Sequence, residues 1–472
     1  MMRSRCMSLA ATALAVLLAG CAQLGGQPDP ATSTGAADVP VFSPEAAATP
    51  MPCPADVLQQ APGTRCLSGR DSAGAFYLIA LPAGWQPGQG DLVLHAHGGP
   101  SLGAPTLART VEDLQRWAIM PRAGYAWAGS SFRQGGVAVR AAAEDTERLR
   151  QLFVQQVGAP RRTLLHGQSW GASVAAKAAE TYTRDATGRR PYDAVLLTSG
   201  VLAGGSQAYQ FRLDLRVVYQ ALCGNHPRPG EAAYPLWQGL PAGARMTQAE
   251  LRSRVNDCLG LDQPAAQRTA EQRRKLDTLT QVIRIPASSV FSHLSWATWH
   301  FQDIAEHRSG GGSVFSNEGV RYTGSADDEA LNAAVARYRA DPAAVARFAA
   351  DTDLTGRIPV PVLTVHGIDD PTAFVEMDDS FRRTMVAAGT AGHLVQTFTA
   401  HDTHSYLADP VYPALLDALQ AWLSTGQAPT PQAVADRCEA LAPRFGPGCR
   451  FQPGYRPPPL ATRVPERTVG PK

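Results

Sequence analysis

Apolar segments of strand length alternate with helix-patterned segments along most of this chain, and that rhythm limits its fold more than any other feature. The segments run "AFYLIAL" (75–81), "DLVLHAH" (91–97), a helical pattern over 106–119, "YAWAGSSF" (125–132) and a helical pattern over 138–156. "RTLLHG" (162–167), a helix from Trp170 to Tyr182 and "YDAVLLTS" (192–199) follow. The rhythm breaks from Val201 to Gly356, a stretch rich in Arg, Gln, Trp and Tyr with several helical patterns. It resumes with "VPVLTVHG" (360–367), a helix over 374–388, "LVQTFTA" (394–400) and the amphipathic "PVYPALLDALQAWLST". Continuous, largely apolar strands need cover on both faces. The pattern therefore predicts an α/β fold: a mostly parallel, doubly wound sheet with a largely helical insertion between two strands. A single large α/β domain with an inserted subdomain accommodates 472 residues.

The ends read differently. "MMRSRCMSLAATALAVLLAGCAQLGG" sets Arg3 and Arg5 before an apolar run too short to span a bilayer, which is the pattern of an export signal. It closes on Leu18, Ala19, Gly20 and Cys21, which resembles the bacterial lipobox. That resemblance implies a signal peptide over 1–20, lipid attachment at Cys21, and a place in the bacterial cell envelope, anchored to a membrane and facing the periplasm or exterior. Residues 21–52 are rich in Ala, Pro, Gly, Ser and Thr and are expected to form a flexible tether. Residues 428–472 form a proline-rich extension whose last part, from "FGPG" onward, is expected to wrap the surface without regular structure.

Once the signal is removed and Cys21 is acylated, Cys53, Cys66, Cys223, Cys258, Cys438 and Cys449 remain. They fall into three sequence-local pairs, and export implies an oxidising compartment, so the expected disulfides are Cys53–Cys66, Cys223–Cys258 and Cys438–Cys449. No CxxC or His-rich spacing accompanies them, and His226 and His300 lack a third ligand, so no metal is expected. A formal net charge of +2 gives no reason to expect nucleic acid as a partner and leaves a small molecule as the expected one.

Gly167, Gln168, Ser169, Trp170 and Gly171 form a GxSxG pentapeptide between a strand and a helix, the context a nucleophile elbow requires. The glycines admit the tight turn, and the Trp170 amide at the helix start can face a developing oxyanion. A serine hydroxyl needs a histidine to take its proton and an acid to orient that histidine. "LTVHGIDDPTAF" offers Asp369 and Asp370 after one late strand, and "TFTAHDTHSYL" offers His401 and His404 after the next. His404 is preferred because it lies beyond the strand end, directly before "SYLADP" and the last helix. His97, Gly98, Gly99 and Pro100 follow an early strand, where the amides near Gly98 and Gly99 can reach a carbonyl oxygen.

Together these motifs resemble the α/β-hydrolase superfamily over residues 70–200 and 357–425. HGGP with GxSWG is similar to the prolyl aminopeptidase and prolyl-oligopeptidase-type branches. The superfamily's late-strand pattern, HGxxD followed by Pro or a small residue, points to Asp370 as the acid. Tannase and feruloyl esterase relatives commonly carry cysteines beside the serine and histidine, where this chain has Gln168 and Thr403. The resemblance implies a catalytic domain over 53–200 and 357–427 with a lid over 201–356. Lid aromatics, Trp296 and Trp299 foremost, are candidates for the pocket wall, although their helical spacing also suits a packed face. Arg133 in "SSFRQGG" is a candidate partner for a substrate carboxylate.

The expected function is that of an exported, lipid-anchored serine hydrolase that cleaves small-molecule carboxylic esters without a cofactor. One alternative is a prolyl aminopeptidase-like exopeptidase, for which "DDEA" (327–330) and Asp303 are the only visible amine-binding carboxylates. A non-catalytic surface binding module on the same fold is the other.

Overall fold

A computed structural model of the chain describes residues 39–185 and 187–467. The signal segment, Cys21 and the first part of the expected tether lie outside the described residues. The apolar runs become β1 Thr49–Met51, β2 Arg65–Arg70, β3 Phe76–Leu81, β4 Leu92–Ala96, β5 Ala126–Ser130, β6 Thr163–Gln168, β7 Ala194–Thr198, β8 Val362–Gly367 and β9 Leu394–Thr399. They form one sheet in the order β1-β2-β3-β5-β4-β6-β7-β8-β9. Pairing is antiparallel from β1 through β3 to β5 and parallel from β5 to β9. This is the α/β-hydrolase fold. Since β5 and β4 exchange places relative to chain order, the loops after β4 and β6 leave the sheet side by side, at the switch point where open α/β sheets hold their sites.

The central strands are buried at every position of β4, β6, β7 and β8. Their side chains alternate between two cores. Leu92, Leu94, Ala96, Leu165, Val195 and Leu197 join one face with the helices Val139–Gln156 and Trp170–Thr181. Val93, Leu164, Leu196, Leu363 and Val365 join the other, covered by Trp117 and the helix Val411–Thr425. The insertion between β7 and β8 holds no strand among the described residues. Its longer helices are Gln210–Cys223, Gln248–Leu259, Ala270–Ile283, Val290–Asp303 and Pro342–Thr352. Two begin in capping boxes, Thr247 with Glu250 and Thr269 with Gln272, so local sequence defines their starts. Phe211, Leu279, Leu294 and Phe301 of this insertion continue the first core, so the insertion packs on the sheet as part of one body. Cysteines pair as 53–66, 223–258 and 438–449, and the second bond ties two insertion helices together.

Both chain ends depart from expectation. Residues 39–51 are not a free tether: Val39 is buried, and Arg148 stacks 3.8 Å over Phe42. The amides of Phe42, Glu45 and Ala48 donate to the side chains of Gln151, Gln155 and Gln156. These glutamines donate back to the carbonyls of Pro40, Glu45 and Ala46. A segment too short and proline-interrupted for its own core is thus held through its backbone by glutamines on a distant helix, which composition does not reveal. At the other end, Pro431–Phe445 is a helix capped by Thr430, with Val434, Cys438 and Phe445 buried. The chain beyond it lies along the surface, bridging Thr399 to Phe451 and pairing Arg463 with Glu376 and Arg467 with Asp214.

Candidate active site

The elbow is shaped by steric necessity. Ser169 sits at φ 56°, in the left-handed region, between the end of β6 and the helix Trp170–Thr181. A Cβ on Gly171 would lie 2.1 Å from the Ala96 carbonyl oxygen, and one on Gly167 would lie 2.3 Å from the Gly171 oxygen. Backbone occupies both spaces, so neither neighbour can yield by rotating a side chain. Gly171→Ala is therefore expected to lower stability by about 1–3 kcal/mol, read as a reduced denaturant midpoint, even though alanine is the better helix former. An unchanged midpoint would show that β4 is free to move away.

The serine faces two acceptors in series. His404 Nε2 lies 2.8 Å from Ser169 Oγ, and His404 Nδ1 lies 2.7 Å from Asp370 Oδ2. A carboxylate can only accept, so Nδ1 carries the ring proton and Nε2 is left to accept from the serine hydroxyl. Asp370 Oδ1 accepts from the amides of Thr372 and Ala373 at 2.8 and 3.0 Å, which fixes the carboxylate plane.

Behind this acid stands a second, buried histidine. His366 Nδ1 lies 2.6 Å from Asp378 Oδ2, while Nε2 donates to the Ala373 carbonyl at 2.9 Å and lies 3.3 Å from Asp370 Oδ2. Both ring nitrogens therefore face acceptors. Burial opposes charge on this ring, but the carboxylates of Asp378 and Asp370 outweigh it and lift the pKa to about 10. Burial likewise opposes charge on Asp370, yet the His404 and His366 rings together hold its carboxyl below the usual range.

The glycine loop after β4 is oriented by Arg109. Its guanidinium donates to the Gly98 carbonyl at 2.5 Å and pairs with Asp113 at 3.3 Å. With that carbonyl held on one side of a trans peptide, the following N–H, that of Gly99, is directed to the opposite side. Trp170 opens its helix, so its N–H has no partner within the helix. Gly98, Gly99, Trp170, Ser169 and His404 border one cavity of about 290 Å³. Gln168 ties the site together: its Nε2 donates to Ser405 Oγ at 2.6 Å, and a Cβ on Gly98 would meet its Oε1 at 2.0 Å. The side chain reaching Gln168 across the site is thus that of Ser405.

Several other candidates lie elsewhere. Asp369 is exposed, and the His401 ring stays outside the Ser169–His404–Asp370 line. Arg133 does not border the cavity; its guanidinium is held by Asp145 and, at 2.9 Å, by Glu144. The side chain expected to await a substrate carboxylate thus already has two of the protein's own. Trp296 does border the cavity, whereas Trp299 lines an adjoining groove and donates to the Met246 carbonyl. Asp303 pairs with Arg308, Asp327 caps a helix and Asp328 accepts from Ser325, and none of them borders the cavity. His226 bonds Thr298 and His300 bonds the Pro100 carbonyl. Among the described residues no group of three His, Cys, Asp or Glu side chains could hold a metal. Sequence reading missed Arg109, Arg212, His366 as a charged ring, Asp378 and Ser405. His366 opens the HGxxD pattern, but the pattern says nothing of its charge; the others belong to no motif, and Arg212, Asp378 and Ser405 owe their surroundings to partners on other elements.

No protein-family model matches the sequence, and no curated protein matches it. Among solved structures, the rice cell wall degrading esterase LipA from Xanthomonas oryzae shares 11% identity over 86% of this chain and 100% of its own, at a TM-score of 0.40. Feruloyl esterase B from Aspergillus oryzae shares 13% over 82% of this chain and 88% of its own, at 0.42. Puromycin hydrolase shares 13% over 79% of this chain and 40% of its own, at 0.36. At such values it is the strand order of this chain, not these likenesses, that defines the fold.

Proposed function

We propose that this protein is a serine hydrolase that cleaves small-molecule carboxylic esters through an acyl-enzyme, exported and held to a membrane by a lipid on Cys21. The unbroken hydrogen-bonded line Ser169–His404–Asp370, opening into a cavity bordered by Gly98, Gly99 and Trp170, carries this reading. Ser169 Oγ would attack the ester carbon while its proton passes to His404 Nε2. Amides of the Gly98–Gly99 loop and of Trp170 would take the oxyanion. Its collapse breaks the bond to the alcohol oxygen, which receives the proton from His404. Water then repeats the sequence on the acyl-enzyme and releases the acid. Asp370 supports each step as a carboxylate beside the charged ring. The lipid anchor and export rest on the segment ending Leu18, Ala19, Gly20 and Cys21.

Ester rather than amine-anchored peptide chemistry is favoured by the cavity wall, which among the described residues includes no Asp or Glu side chain that could hold a substrate ammonium. The complete triad argues against a purely binding role. Initial rates of the purified protein on a ladder of p-nitrophenyl esters and on proline arylamide, with a fluorophosphonate probe mapped by mass, separate the three readings. Expected are ester turnover and a single adduct on Ser169. Turnover of the arylamide alone would move the protein to the peptidases, and folded protein that neither turns over nor labels would make it a binding module.

A further inference from the structure

The helix Gln210–Cys223 of the insertion carries an arginine unlike the other two buried ones. Arg216 gives its terminal nitrogens to the His226 carbonyl and the Tyr234 hydroxyl, and Arg254 pairs with Glu231. Arg212 is only 5% exposed, yet among the described residues its terminal nitrogens have no hydrogen-bond acceptor and no carboxylate partner; its Nε is enclosed without one, as are those of Arg216 and Arg254. Its Cζ lies 4.5 Å from the Trp296 ring, 4.6 Å from Phe211 and 5.2 Å from Tyr209. Aromatic faces hold a cation in place but do not replace in-plane acceptors for its N–H fork. The group borders the same cavity as Ser169 and His404. Arg116, exposed at that cavity, also forms no ion pair among the described residues, while Arg109 is committed to Gly98 and Asp113.

We propose that Arg212, assisted by Arg116, binds a carboxylate carried by the ester substrate, so that the enzyme acts on acidic esters. This rests on the reading of Ser169 as an esterase nucleophile. A planar carboxylate supplies the two parallel acceptors that a guanidinium fork lacks here, and such a bidentate pair is directional as well as attractive. Among the described residues the cavity wall includes three arginines and no acidic side chain, so its field also draws anions toward the serine. Burial pulls the Arg212 guanidinium down to about 10, which leaves it charged at neutral pH.

The test compares kcat/KM within two matched pairs: p-nitrophenyl hemiglutarate against p-nitrophenyl pentanoate, and 4-butyryloxybenzoate against its methyl ester. The first pair places the carboxylate on the acyl side and the second on the alcohol side. Wild type is expected to favour the anionic member of at least one pair tenfold or more. Arg212→Met should collapse that ratio to within about threefold of unity, and Arg212→Lys should keep part of it. An arginine that only braces the lid would depress both members together and leave the ratio intact, which overturns the proposal. So does wild type without an anionic preference in either pair, a result that needs no variant. Calorimetric titration of glutarate into Ser169→Ala, with and without Arg212→Met, separates the two levels. Arg212-dependent binding, together with a wild type that hydrolyses no ester, supports the anion site and removes the esterase. Ester hydrolysis with neither glutarate binding nor anionic preference does the reverse.

Discussion

Ester hydrolysis is expected to fall about 10⁶-fold in Ser169→Ala and about 10⁴-fold in Asp370→Asn, while Asp369→Asn stays within about threefold of wild type. The hierarchy follows from the geometry. Removing Ser169 Oγ removes the atom that forms the acyl bond, and only binding and the oxyanion donors remain. Asparagine at 370 can turn an N–H₂ toward His404 Nδ1, which then accepts and places its proton on Nε2, where it no longer takes the serine's. Asp369 is exposed and only its backbone joins the network, its amide donating to the His401 carbonyl at 3.3 Å. Steady-state kcat on the best p-nitrophenyl ester, with folding checked by circular dichroism, measures the series. Equal losses at 369 and 370 would mean the acid has been misassigned.

Asp378→Asn is expected to cost about 3–5 kcal/mol of stability, because it removes the carboxylate that compensates a buried imidazolium. Asp378 is fully buried and also accepts from Thr364 Oγ1 at 3.1 Å, so no water can take over. Its pH signature distinguishes this from simple packing damage. His366 titrates near 6.5 when unfolded and is raised to about 10 in the fold. Its contribution is therefore present in full below pH 6.5 and disappears as pH rises through about 10. Wild type should lose stability across that interval, and Asp378→Asn should flatten the loss, leaving the two proteins closer at pH 10 than at pH 6. Guanidinium melts at pH 6, 8 and 10 read this directly. A constant gap at all three would mean that His366 is neutral in the fold. Asp370 runs the other way: its carboxyl is held low, so its share is present above the unfolded value and is lost only as pH falls through the depressed one.

Local steric demands make much of the site legible in the amino-acid sequence itself. Only glycine fits beside the Ala96 and Gly171 carbonyls at the elbow, so GxSxG between a strand and a helix marks Ser169. Largely apolar runs at β4, β6, β7 and β8 declare strands covered on two faces, and the insertion announces itself by breaking their rhythm. The nearest cysteine neighbours also pair as their spacing implies. Very short strands and backbone-held segments leave weaker marks. β1 and residues 39–48 have no apolar pattern of their own and are held by partners more than a hundred residues away in the case of Gln151 and Gln155.

Sequence chemistry alone set the order of the chemical groups, Ser then Asp then His, and the strand ends that carry them, because each depends on side chains within a few residues of one another. Tertiary structure decided between adjacent candidates and set the charges. Asp370 and His404 meet across 34 residues, and His404 reaches Ser169 across 235, distances over which no local pattern carries information. The same holds for the two arginines that exchanged roles. Arg133 meets Asp145 of the helix that follows its loop, and Arg212 lies beneath Trp296 of another helix without an acceptor among the described residues. Whether a guanidinium is satisfied depends on what surrounds it in three dimensions, and a linear sequence records its presence but not its surroundings.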